Sequence, residues 1–163
     1  MTAHPPRKTP GSDRPLVRKL QQFLALTAAE EAALRGLESV VRQAGPRHEL
    51  TTEGGASGTA ILLHKGWAVR QRTLRDGRRQ VIDFLVPGDF CDPSSFVAGR
   101  RDFSITAITP VTWSPVQPED LLRLLSGSPR LGAFFWWLEA REGFFLRAHL
   151  VAVGRMRAEE RIA

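Results

Sequence analysis

Asp76-Gly77 stands between two extended runs, Trp67 to Leu74 and Arg79 to Val86, and nothing else in the sequence restricts the fold as tightly. Asp-Gly takes the two positive-φ positions of a type I′ turn, so the pattern predicts a β-hairpin. In the first run Arg70 and Arg72 share one face while Trp67 and Val69 take the other. In the second, Ile82, Phe84 and Val86 align, following the two-residue period of a strand. Pro87-Gly88-Asp89-Phe90 then stops the strand, because proline cannot donate to a ladder and glycine permits a sharp bend. A loop follows and returns at Ser104 to Thr109.

The rest of the chain supports this loop. Residues 1 to 14 are proline-rich without apolar periodicity and predict a disordered tail. Leu16 to Leu26 is amphipathic through Leu16, Leu20, Phe23 and Leu24. Thr27 and Glu30 form a capping box that starts a second helix running to about Val41. Gly45-Pro46 breaks it, and Arg47 to Thr52 is expected to be the first strand. Residues 53–58 read as a glycine-rich turn, and Ala60 to His64 as the next strand. Ser104 to Pro110 and Val111 to Val116 are the closing strands. Pro118-Glu119-Asp120 opens a helix that buries Leu121, Leu122, Leu124 and Leu125 on one side. Ser126-Gly127-Ser128-Pro129 interrupts it, and the pattern then stays helical to Ala163. Leu131, Phe135, Leu138, Phe145, Ala152 and Met156 occupy the a and d positions of one heptad frame, with Glu142 and His149 as misfits. Phe134, Trp137, Leu146, Leu150 and Val153 make the helix apolar on more than one face, which predicts a partner and so a dimer.

With "DGRRQVIDFLVPGDF" before the loop and "SITAITPVTWSPV" after it, the chain resembles the effector domain of the Crp/Fnr family of bacterial transcription regulators. "LTAAEEAAL" looks like that family's first helix and "RAHLVAVGRMRAEERIA" like its dimer helix. The resemblance covers nearly all of the chain beyond the first fifteen or so residues. It implies an α+β fold: a double-stranded β-helix, or jelly-roll-like β-roll, flanked by N-terminal helices and a long C-terminal dimerisation helix. It also implies DNA binding through a helix-turn-helix that would follow Ala163. The expected division is a basic tail at 1–14, an effector domain at 15–128 and a dimerisation helix at 129–163.

Composition narrows the chemistry. A chain of 163 residues with 42% hydrophobic content suits one soluble domain. No apolar run approaches a membrane span, and the N-terminus lacks the apolar core of a signal peptide, so a cytoplasmic protein with no membrane partner is expected. Cys91 is the sole cysteine, which excludes a disulfide framework, a Cys-x-x-Cys zinc site or a four-cysteine iron–sulfur site within the chain. No haem signature is present either, and Cys91 reads as a small buried hydrophobe. His48 and His64 do not make the His-x-His pair of the cupin enzymes, another β-roll group, so no metal and no catalytic residue is expected. Of the net charge of +6, +4 lies in residues 1–20, and the nearly neutral remainder offers no basic stripe for nucleic acid.

In cyclic-nucleotide-binding members, the resemblance implies, the loop carries a Gly-Glu pair at a helix start and an Arg followed by Ser or Thr. Helix amides and a guanidinium hold the cyclic phosphate, and the glutamate holds the ribose. Here the segment is Cys91-Asp92-Pro93-Ser94-Ser95-Phe96, shorter and without Gly-Glu. Asp92 reads as an N-cap with Pro93 at N1, a fixed negative charge that opposes phosphate. Arg100 or Arg101 best matches the phosphate arginine, but Asp102 follows it and is expected to pair with it. The pocket candidates are therefore Gly88, Asp89 and Phe90 at the turn, Asp92, Ser94 and Ser95 in the loop, and Arg100, Arg101, Asp102 and Ser104 at its return. The dimer candidates are Leu131, Phe135, Leu138, Phe145, His149, Ala152 and Met156. The sequence thus reads as the effector-sensing, homodimerising part of a DNA-binding regulator, not an enzyme, with an unidentified small-molecule effector in place of cyclic AMP, or none. A stand-alone cyclic-nucleotide-binding module is the alternative, and a cupin-like enzyme the weaker one.

Overall fold

The computed structural model describes residues 14–38, 40–55, 58–91, 93 and 99–155. Residues 1–13 of the expected basic tail and Met156 lie outside them, while Arg14 is described and paired with Glu38. The chain divides into two compact units, Met1–Leu122 and Arg123–Ala163.

Eight strands build two antiparallel sheets: β1 (Arg42–Ala44), β2 (Glu49–Thr51), β3 (Ala60–Lys65), β4 (Ala68–Thr73), β5 (Arg79–Leu85), β6 (Phe90–Cys91), β7 (Ser104–Ala107) and β8 (Val111–Val116). One sheet runs β1-β8-β3-β6 and the other β2-β7-β4-β5. Their inner faces meet in an apolar core of Ile61, Leu63, Cys91, Val111 and Trp113 from the first, and Ala68, Leu85, Ile105 and Ala107 from the second, with Phe103 just before β7. β3 is buried on both faces, since Ile61 and Leu63 alternate with Leu62 and α1 (Pro15–Gln21) lies against this strand. Leu16, Leu20 and, from α2 (Ala28–Gly36), Leu34 are fully buried. Each such leucine contributes about 2 kcal/mol by leaving water.

The capping box forms as its residue types dictate: Glu30 N–H donates to Thr27 Oγ1 at 3.2 Å and Thr27 N–H donates to Glu30 Oε2 at 2.8 Å. Two helix ends differ from expectation. α1 stops at Gln21 and leaves Phe23 exposed. α2 stops at Gly36 because the backbone of 42–44 is taken by β8, with Arg42 opposite Trp113 and Ala44 opposite Val111, a pairing between distant residues that no local pattern announces. β1 was therefore not expected from the sequence.

The central hairpin forms, but its turn is of another type. Only Gly77 has positive φ (84°), and the Gly77 N–H donates to the Leu74 carbonyl at 2.9 Å while Leu74 N–H donates to Arg78 at 2.7 Å. This is a three-residue loop closed by a glycine bulge rather than a type I′ turn. A second bulge shifts the register, since Arg70 faces Asp83 but Gln71 faces Val81. The extra residue, Ile82, breaks the expected alternation, so Leu85 turns into the core and Phe84 is 60% exposed.

After β8, α3 (Pro118–Gly127) buries Leu121 and Leu124, while Leu122, expected inside, is 60% exposed. α4 (Pro129–Arg155) is the long C-terminal helix. Among the described residues no helix is long and apolar enough to cross a membrane.

Candidate functional site

The Pro87–Phe90 turn is tied down from both sides. Gly88 has φ of 92°, and a Cβ there would stand 2.7 Å from the Pro15 carbonyl oxygen, so only glycine fits beneath α1. Asp89 accepts from the Val86 N–H at 2.8 Å and forms an ion pair with Lys19 of α1. Phe90 continues into β6, where it pairs with Leu62. Gly88 and Asp89 therefore hold the turn and α1 together. Of the loop beyond, Asp92, Ser94 and Ser95 lie outside the described residues.

At the return of the loop, Arg101 is buried. Its backbone pairs with the 53–55 turn, Gly54 N–H donating to the Arg101 carbonyl at 2.8 Å and Arg101 N–H to the Gly55 carbonyl at 3.3 Å. Its guanidinium donates to the Thr59 carbonyl and stands 3.4 Å from the Thr59 hydroxyl. Arg100 and Asp102 are both exposed. The buried arginine is thus held by a carbonyl on the far side of the loop rather than by Asp102, as the sequence suggested, because strand pairing turns alternate side chains outward. Ser104 opens β7 and is preceded by Phe103, not by an arginine. Its hydroxyl donates to Glu49 Oε1 at 2.7 Å and accepts from Glu53 N–H at 2.9 Å.

Arg70 of β4 and Asp83 of β5, which the sequence did not mark as site residues, add a charge pair with a buried arginine to the roll. Arg70 of β4 has a side chain only 7% exposed, stacks its guanidinium 4.6 Å from the Phe103 ring centroid and lies 3.6 Å from Asp83 of β5. The signal was available in the alternation of β4, where Arg70 falls on the same face as the small Ala68. Arg72, assigned to the same face, lies past the bulge, is exposed, and pairs with Glu53 at 2.8 Å. The roll thus carries two buried arginines, one over an aromatic ring and beside a carboxylate, one on a backbone carbonyl.

His48 is exposed, and His64 Nε2 lies 2.7 Å from the Ser114 hydroxyl. Among the described residues no three His, Cys, Asp or Glu side chains come together as a metal site. Cys91 is buried in β6. On α4, Leu131 and Phe135 are buried. Leu138 and Ala152 are half-buried, and Phe145 and His149 are exposed.

Two four-stranded antiparallel sheets with helices before and a long helix after them in the chain define a β-roll domain. Residues 41–128 match the cyclic nucleotide-binding domain family. The nitrogen fixation regulation protein FixK of Bradyrhizobium diazoefficiens is 36% identical over 92 residues, 56% of this chain and 38% of its own length. The transcriptional activatory protein AadR of Rhodopseudomonas palustris is 30% identical over 119 residues, 73% of this chain and 49% of its own. The catabolite activator protein of Thermus thermophilus superposes with a TM-score of 0.69 at 22% identity, over 80% of this chain and 62% of its own. The chain belongs to the cyclic nucleotide-binding domain family, in its Crp/Fnr branch. It spans half or less of the length of the two curated relatives.

Proposed function

We propose that this chain is the effector-sensing and dimerising portion of a Crp/Fnr-type transcription regulator whose roll takes an effector other than cyclic AMP, or none. The observation that carries this reading is the commitment of both buried arginines to partners of the chain's own. Arg101 is spent on the Thr59 carbonyl, and Arg70 on Phe103 and Asp83. Among the described residues, a cyclic phosphate entering this interior would meet no uncommitted buried guanidinium, and it would face the Asp83 carboxylate. Loss of two charge-assisted contacts costs about 3–6 kcal/mol, enough to carry a micromolar site to millimolar or beyond. Titration calorimetry with cyclic AMP and cyclic GMP is expected to be flat at micromolar concentrations. Micromolar binding that Arg101→Ala abolishes would instead favour a cyclic-nucleotide-binding module, the reading that the family match supports.

Dimerisation through α4 belongs to the same proposal. Trp136 is 78% exposed in the single chain, and Phe144, Phe145, Leu150 and Val151 are exposed with it, an apolar surface that favours burial against a second copy. Light scattering is expected to give a dimer at about 20 µM, a concentration that separates weak from stable association. Phe145→Glu is expected to give a monomer, and a wild-type monomer would sink the idea. DNA recognition is assigned to a helix-turn-helix outside these residues, so residues 1–163 are expected to show no sequence-selective retention in a gel shift at physiological salt.

A further inference from the structure

The outer face of the β2-β7-β4-β5 sheet is apolar where a water-facing antiparallel sheet is normally polar. Ala68 of β4 lies opposite Leu85 of β5 and Ala107 of β7, and all three turn into the core. Val69, one position on, therefore points out, and so do its partners Phe84 and Thr106. Trp67, one position before Ala68, points out as well, and its carbonyl accepts from the Ile108 N–H at 2.8 Å. Trp67 is 51% exposed, Phe84 60% and Ile108 43%, with half-buried Val69 beside them. Neighbouring positions in the ladder make this one stripe, within the Met1–Leu122 unit.

The stripe is held by its backbone. Gly66 has φ of 80°, and a Cβ there would stand 2.1 Å from the Pro110 carbonyl oxygen, so the turn before Trp67 is closed against 109–110. Trp67 N–H donates to Thr109 Oγ1 at 2.9 Å. Phe84 is turned outward by the bulge at Ile82, a device that re-aims a side chain. Arg47, whose N–H donates to the Ala107 carbonyl at 2.7 Å, has φ of 67°, uncommon for a residue with a side chain. That conformation sets an exposed charge at the end of the stripe.

The charges around the stripe decide what it suits. Segments 42–48, 64–68 and 107–111 meet at this end of the sheet, and they carry Arg42, Arg47 and Lys65 but no Asp or Glu. Arg42 lies over the Trp113 ring, while Arg47 and Lys65 are exposed. The carboxylate these four strands place on this face is Glu49, opposite Thr106, and the Ser104 hydroxyl donates to it. Apolar side chains flanked by cations are complementary to apolar side chains flanked by carboxylates. A second copy of the same face would bring positive patch onto positive patch. Aliphatic Val69 and Ile108 beside the rings suit protein side chains better than stacked bases. We propose that this face docks an acidic segment of another protein, its apolar side chains lying on Trp67 and Phe84 and its carboxylates toward Arg47 and Lys65. The sensing unit thereby binds a protein partner through residues that neither the roll interior nor α4 supplies.

Selection of random short peptides displayed on phage against the immobilised 163-residue chain tests this, followed by fluorescence anisotropy with the enriched peptides. These are expected to combine Asp or Glu with aromatic or aliphatic residues. W67S/F84S, at two exposed positions outside the core, is expected to weaken binding roughly tenfold or more, the effect of losing an anchor residue. R47Q/K65Q is expected to weaken it severalfold and to flatten its salt dependence. Both variants are expected to keep the urea midpoint and the light-scattering mass of the wild type. No enrichment, enrichment of peptides without acidic residues, or equal binding to W67S/F84S would overturn the proposal. Tighter binding of poly(dT) or of phosphatidylserine vesicles, lost in the same variant, would overturn it in favour of nucleic acid or membrane. A changed oligomeric state in W67S/F84S would overturn it in favour of a contact between copies.

Discussion

Arg70 inside the roll and Glu38 beside α1 are both charged side chains almost closed off from water, at 7% and 4% exposure. Arg70 lies over the Phe103 ring and beside Asp83, groups supplied by neighbouring strands held in register by the sheet. Glu38 meets Arg14 through one oxygen, and its other oxygen is buried without a hydrogen-bond partner. The difference follows from how each wall is made. Strand ladders repeat at fixed spacing and bring an opposite charge alongside, as Asp83 beside Arg70, whereas helix ends and turns meet at irregular distances.

The comparison breaks most sharply at Arg70. Arg70→Ala strands Asp83 and empties the space over Phe103. Removing one partner of a buried pair costs about 3–5 kcal/mol, and because Asp83 is a third exposed we expect about 2–3 kcal/mol, read as a lower urea midpoint. Replacing both partners, as in R70M/D83L, is expected to recover most of that loss. If the single and double variants lose equally, the pair is not what balances the interior. Gly88→Ala tests how α1 is attached: its Cβ would press on the Pro15 carbonyl at a φ of 92°, and a loss of about 1–3 kcal/mol is expected.

A smaller effect sharpens the comparison through pH. His64 is depressed below 6.5 in the fold, so the unfolded chain takes up its proton first. Its contribution is present above pH 6.5 and is lost as pH falls below it. Glu38 has the opposite sign: it is raised above 4.5, so the folded chain binds its proton more readily, and stability is gained as pH falls through the raised value. Denaturation midpoints between pH 7 and pH 5 are therefore expected to drop less in His64→Gln and more in Glu38→Gln than in the wild type. At neutral pH, Glu38→Gln is expected to change stability least of all, by about 1 kcal/mol or less. It removes the buried end of an ion pair whose other end, Arg14, is 40% exposed and can be hydrated instead.

Local chemistry made much of this molecule legible in advance. Asp76-Gly77, Pro87-Gly88, the Thr27–Glu30 box and the break at Ser128-Pro129 each act over a few residues, so the hairpin, the turn, the cap and the stop could be read directly, and with them most of the strands and helices. The turn type at Asp76-Gly77 and the end of α2 at Gly36 could not. The resemblance carried by residues 76–116 supplied the roll. Tertiary structure decided what depends on residues far apart in the chain. β1 exists because β8 lies beside it, and Phe84 faces outward because a bulge at Ile82 shifts the pairing. Arg101 turns to Thr59, forty-two positions away, instead of to the adjacent Asp102. Glu38, just after α2, finds its partner in Arg14, just before α1 and twenty-four positions away. Short-range signals specify backbone conformation, whereas the partner of a buried charge is settled only when the sheets close over it.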